Sequence, residues 1–219
     1  MLERPEELQA RILDHAGAKF TAYGFSRTTM EEISRELGIS KKTLYRHFAA
    51  KQDLLRAVIR KRLEEVKSKL DRLFNTPGLP FRVRFDGLLR LVGAQLSLIR
   101  YPLINDLYRY APRIWQEIDE FRSKQVFSRL EKLFRQGIEE GYIRADVDPR
   151  LTVFLISRVA QSVINPELLV GLGLSPPEVY EALIALVRYG VFTDKGRRES
   201  GRLEGTGRSG LIDQEKSDV

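Results

Sequence analysis

The chain has no cysteine in its 219 residues. Disulfides and thiolate metal sites are therefore excluded, and a reducing compartment is permitted. Histidine is scarce. His15 and His47 are the only two, too few and too far apart for a histidine-based metal centre. No apolar run approaches the ~18 residues a membrane-spanning helix needs. The first residues, MLERPEELQARIL, lack the apolar centre of a signal peptide. Ser-His-Asp and Cys-His sets, glycine-rich phosphate loops and metal-ligand spacings are missing as well. The expectation is a cytoplasmic protein that is not an enzyme, carries no cofactor or metal, and has no membrane partner.

What the chain does have is apolar residues at 42%, enough for a packed core, and a net charge of +7. That charge favours a polyanionic partner. The local signal is stronger. The stretch Thr28–Lys51 reads TTMEEISRELGISKKTLYRHFAAK, and no acidic residue occurs between Glu36 and Asp53. Thr28 with Glu31 fits a capping box opening a first short helix. Met30, Ile33 and Leu37 recur at helical spacing. Gly38 ends that helix, and Ser40 suits the N-cap of a second. The second helix sends only Leu44 and Phe48 inward. Lys41, Lys42, Thr43, Tyr45, Arg46 and His47 lie off that line, an assortment suited to phosphate oxygens and base edges. Helix, glycine turn and basic helix form the helix-turn-helix pattern, whose second helix enters the major groove. Lys41 and Lys42 open that helix, where donation to guanine is easiest.

The segment GFSRTTMEEISRELGISKKTLYRHFAAKQDLL resembles the DNA-binding region of TetR-type transcriptional regulators, over residues of about 8 to 55. The resemblance rests on Gly24-Phe25, Thr28-Thr29-Met30, Ile33, Gly38, the run Thr43–Phe48, and Lys51 before Leu54-Leu55. It implies that Thr43 contacts a base or phosphate, and that Tyr45, His47 and Lys51 contact phosphates. Arg27 and Thr29 then contact the DNA backbone at the preceding helix, and Arg46 reads a base or binds phosphate. Thr28 and Ser40, at the starts of the two helices, complete the expected DNA-binding set. The alternative for His47 is a half-buried histidine that holds the turn.

The remaining chain reads as all-α, with about nine helices in total. Residues 1–50 make a three-helix DNA-binding domain, and residues 51–193 a larger ligand-binding and dimerisation domain, of which 51–74 is a long connecting helix. Residues 194–219, polar and glycine-rich, are expected to be a disordered tail. Helices are predicted over 81–99, 103–110, 112–140 and 148–164, the last opened by Asp148-Pro149. Ser175 and Glu178 form a second capping box, opening a helix to about 192.

Breaks at Pro102 and Pro112 gather Tyr101, Asn105, Tyr108 and Trp115 in the middle of the chain, and Gln161 is polar on an otherwise apolar helix. These are the candidate contacts for a small, largely apolar effector. The alternative is that Trp115 and the tyrosines are ordinary core. The last two predicted helices are apolar over more than one face, so each needs more than one neighbour, and burial inside one subunit is one way to supply it. The family resemblance implies a homodimer through a bundle of two helices from each copy, with Phe154, Val163, Leu183 and Val187 as interface candidates. A two-fold dimer matches a palindromic double-stranded DNA operator. The function expected is a repressor released from DNA by its effector. The alternatives are an activator or ligand-independent DNA-binding protein of the same fold, and more distantly a helical adaptor on anionic surfaces.

Overall fold

The structure, a computed structural model, describes residues 4–98, 100–163, 169, 171 and 173–200, with the backbone alone at 162, 163, 199 and 200. The fold is all-α. No strand occurs among the described residues, and a single isolated bridge pairs Ile143 with Phe192.

Helix α1 (Pro5–Tyr23) begins with proline at a position where no N–H is needed, followed by Glu6 and Glu7 at the positive end of the helix. It buries Ile12, Ala16 and Phe20. Helices α2 (Met30–Glu36) and α3 (Lys41–His47) follow. The cap of α2 is shifted one residue from the predicted Thr28–Glu31 pair. The Thr29 hydroxyl accepts from the Glu32 N–H at 3.2 Å, and the Glu32 carboxylate accepts from the Thr29 N–H at 2.9 Å. Thr28 is buried instead, and its hydroxyl donates to the Gly24 carbonyl at 2.8 Å. The turn after α2 needs Gly38 at φ 68°. The Ile39 N–H reaches back to the Ser34 carbonyl at 3.0 Å and the Gly38 N–H to Arg35 at 3.2 Å, which satisfies carbonyls left open at the helix end.

Helix α4 (Lys51–Asn75) has 25 residues, about 37 Å at 1.5 Å per residue. Its two halves serve different cores. Leu54, Leu55, Val58 and Ile59 pack with α1–α3 in the first. Val66 and Leu70 join the second, with Phe81, Phe85, Leu133, Phe134 and Phe192. Helices α5 (Phe81–Leu98), α6 (Tyr101–Tyr110) and α7 (Pro112–Phe121) continue the chain.

The predicted helix over 112–140 is interrupted. Arg122–Phe127 form a π-helical turn between α7 and α8 (Ser128–Glu139). One extra residue in a turn rotates the side chains beyond it by about 100°. The effect is to let α7 offer Ile114, Trp115 and Ile118 to the first core while α8 offers Leu130, Leu133 and Phe134 to the second. Helix α9 (Pro149–Val163) is capped by Asp148, whose carboxylate accepts from the Leu151 N–H at 2.9 Å. Helix α10 (Pro176–Val191) is capped by the predicted Ser175–Glu178 pair.

The expected tail is corrected over its first residues. Asp194–Ser200 form a further helix, α11. It docks because Arg197 donates to the Phe192 carbonyl at 2.9 Å. Lys195 donates to the Glu140 carbonyl, also at 2.9 Å, and lies 4.3 Å from the Tyr142 ring centre. Residues 201–219 lie outside the described residues.

Candidate nucleic-acid interface and internal cavity

Helix α3 is fixed from below. Leu44 is fully buried, Phe48 nearly so, and the Ser40 hydroxyl caps the helix by accepting from the Thr43 N–H at 3.0 Å. With the apolar side spent on packing, the opposite side faces outward. Lys42, Tyr45 and Arg46 are exposed and His47 is half-buried. None of the four has a hydrogen-bond, ionic or ring partner among the described residues. Lys41 makes a surface ion pair with Glu31 at 2.9 Å, a pair that water and salt weaken. Arg27 and Thr29 are exposed beside this surface. The side chains of Arg27, Lys41, Lys42, Tyr45 and Arg46 therefore offer donors on an open face, with Thr43 and His47 half-buried among them.

Two residues of the expected set are placed elsewhere. Thr28 is turned inward onto Gly24, as above. The Lys51 ammonium points at the α1–α2 loop. It donates to the carbonyls of Phe25 and Thr28 at 2.9 Å each and approaches that of Ser26 at 3.4 Å. Three donors meet three acceptors, so none is left for a phosphate. Burial lowers the Lys51 pKa from its usual value, with Asp106 and Glu32 acting in the opposite direction. Ser40 is occupied in capping α3. Of the expected set, Thr28 and Lys51 hold the loop that carries the others.

A second feature lies within the other core. A cavity of about 200 Å³ lies between α4, α5, the π turn, α8, α9 and α10. Phe85, Leu88, Phe127, Phe134, Leu183 and Val187 are among the side chains lining it, and the polar ones are Gln95, Arg122 and Tyr180. The Tyr180 hydroxyl donates to the Leu89 carbonyl at 2.8 Å, and burial pushes its pKa upward.

The sequence profile described as "Bacterial regulatory proteins, tetR family" matches residues 12–58, which span α1 to the first turns of α4. The HTH-type transcriptional regulator SrpR of Pseudomonas putida is 39% identical over 157 residues, covering 68% of this chain and 69% of that one. The chain belongs to the tetR family. It is a DNA-binding transcriptional regulator, as its relatives are. A TetR-family regulator from Marinobacter aquaeolei VT8 has the same fold, with a TM-score of 0.67 and 20% identity over 92% of this chain and 98% of that one. The ketosteroid transcriptional regulator KstR2 of Mycobacterium tuberculosis superposes with a TM-score of 0.57 and 23% identity, over 87% and 98%.

In this tetR-family chain the residues expected to meet an effector are not in the cavity. Tyr101 and Tyr108 are exposed on α6, and Tyr108 meets Trp115 edge-on at 6.0 Å. Trp115 packs against the first core. Asn105 is half-buried on α6, away from the lining. Gln161 accepts from Arg158 at 3.3 Å. The proline breaks bring α6 to the first core, beside α1–α4, not to the cavity. The cavity lining was missed because apolar residues on α5, α8 and α10 look like core in sequence. The unused polar group Gln95 and the cation Arg122 were the available signals.

The interface candidates divide similarly. Val187 is buried in the second core and Leu183 lines the cavity. Phe154 is 51% exposed, and the Val163 side chain lies outside the described residues. The outward apolar groups on these two helices are Leu151, Phe154, Leu155 and Val159 on α9 with Leu186 and Tyr189 on α10. No group of three His, Asp or Glu that could hold a metal occurs among the described residues, and no described helix is long and apolar enough to cross a membrane.

Proposed function

We propose that the protein is a homodimeric repressor that binds a palindromic operator through α3 and is released when a small apolar effector occupies the cavity. The observation that carries the DNA half of this reading is the unpartnered face of Lys42, Tyr45, Arg46 and His47 on a helix anchored by Leu44. Cations without internal counter-ions suit phosphates, and a helix presented this way suits the major groove.

The effector half rests on the cavity, whose apolar wall with few polar groups has the composition of a small-molecule site. The description of KstR2 as a ketosteroid regulator accords with an apolar effector. The dimer rests on Leu186 and Tyr189, 71% and 72% exposed, beside the apolar outer face of α9. Large apolar groups gathered on one surface favour a partner, and a second copy supplies the two-fold symmetry a palindrome requires.

Selection of bound duplexes from a random pool tests the reading, followed by addition of apolar compounds to the selected complex. A recovered palindrome and a compound that dissociates the complex are expected. Retention of all sequences alike would remove the operator, and indifference of a specific complex to every compound bound by the protein would remove the effector.

A further inference from the structure

The cavity's polar groups are unequal. Tyr180 has spent its proton on Leu89. The Gln95 amide has no hydrogen-bond partner among the described residues. Arg122 is the cation on an otherwise uncharged wall. A guanidinium has five N–H donors. Asp119 takes one, from Nη1 at 2.9 Å, and the others meet no acceptor among the described residues. The Arg122 side chain is 19% exposed and that of Asp119 32%, so the counter-ion is the more hydrated of the two. Burial pulls the Arg122 pKa down, with Asp119 opposing.

We infer that the cavity takes an amphipathic monocarboxylate, with its carboxylate on the free donors of Arg122 and its hydrocarbon tail among Phe85, Leu88, Phe127, Phe134 and Leu183. This rests on the reading of the cavity as the effector site. A wholly apolar occupant gives the Arg122 guanidinium and the Gln95 amide no partner, and covering polar groups with hydrocarbon is costly. A carboxylate matches the guanidinium fork in geometry and charge. A cation is repelled, and a dianion finds a single positive charge. The volume of about 200 Å³ admits on the order of seven groups the size of a water or methylene, ~30 Å³ each.

The same arginine is placed to report occupancy. Its guanidinium lies 5.6 Å from the ring centre of Trp115, the only tryptophan in the chain. Two residues further along α7, Glu117 pairs with Arg56 and Arg60 of α4 at 3.3 and 3.4 Å. A head group that draws Arg122 toward the cavity therefore acts on a helix tied to the one that carries the DNA-binding core.

The test is titration of the full-length protein with sodium octanoate and with 1-octanol, read by Trp115 fluorescence and by melting temperature. Octanoate should bind the wild type more tightly than octanol and change the fluorescence. Arg122→Gln should weaken octanoate about tenfold or more, as removal of a charge-assisted hydrogen bond would, and leave octanol unchanged. Asp119→Asn is the second variant, in case Arg122→Gln does not fold. It removes the competing anion and leaves only a neutral acceptor on Arg122, so octanoate should bind several-fold more tightly. Equal binding of acid and alcohol, or octanoate affinity indifferent to both substitutions, would overturn the inference while leaving an apolar effector site in place. Binding of neither compound would remove the inference and the effector reading together.

Discussion

The Asp106 carboxylate accepts a hydrogen bond from the Ser26 N–H at 2.7 Å, across 80 residues of sequence. This bond joins α6 to the loop between α1 and α2. It is partly buried, and it depends on Gly24. A Cβ there would lie 2.7 Å from the Asp106 carboxylate, at a φ of 90° that side chains rarely adopt. The loop is thus gripped from one side by Asp106 and from the other by Lys51. Asp106→Ala should lower unfolding free energy by roughly 1–3 kcal/mol, because the Ser26 N–H loses a charged acceptor. It should also weaken DNA binding, since the loop sets the start of α2. Denaturant unfolding and a duplex titration on the same preparation check both; a change in neither would mean the bond is incidental.

Lys51 separates a structural from a direct role in DNA binding. Lys51→Met keeps the stem length but leaves the carbonyls of Phe25 and Thr28 without their donor. A loss of stability of roughly 1–3 kcal/mol is expected. If Lys51 contacted phosphate instead, stability would hold and the salt dependence of DNA binding would become shallower. Melting curves and affinities at several salt concentrations distinguish the two.

The proposed dimer surface yields a contrast between neighbouring positions. Leu186 faces out and Val187 faces in. Leu186→Asp with Tyr189→Asp should produce folded monomers in sedimentation experiments. Val187→Asp should unfold the second core, since a carboxylate buried there has no partner. Dimers that persist in the Leu186/Tyr189 variant would move the interface to another surface.

The C-terminal helix should matter where the residues after it do not. Removing residues 201–219 is expected to leave melting and dimerisation unchanged. Removing everything after Thr193 deletes Lys195, Gly196 and Arg197, which close over Tyr142 and Phe192, and should lower the melting temperature by several degrees for a loss of about 1–2 kcal/mol. Equal stability of the two truncations would show that α11 contributes nothing.

The parts of the molecule legible in the sequence were those governed by local rules. Ser40, Gly38, Asp148 and the Ser175–Glu178 pair mark helix ends because capping involves neighbours in the chain. Periodicity gave the α4 stripe and the anchor of α3. The π turn at Arg122–Phe127 was not legible, because its cause is the demand of two separate cores on one helical run. The direction of Thr28 and Lys51 depends on the loop at Phe25, and that of Leu183 on the space between α5 and α8. The exposed tyrosines of α6 suggested a pocket by composition. Their position beside the first core follows from packing between distant segments, which no local pattern encodes.

On the proposed function, α3 holds the DNA. The most direct measurement is fluorescence anisotropy of a selected duplex between about 50 and 200 mM salt, with the wild type and with Lys42 and Arg46 both replaced by alanine. The wild type should show affinity that falls steeply with salt. The double variant should melt at the same temperature, bind at least tenfold more weakly, and have a logarithmic salt slope shallower by about 0.9 for each phosphate that is no longer neutralised. Unchanged affinity and slope in a folded double variant would contradict the assignment of α3 as the DNA-binding helix.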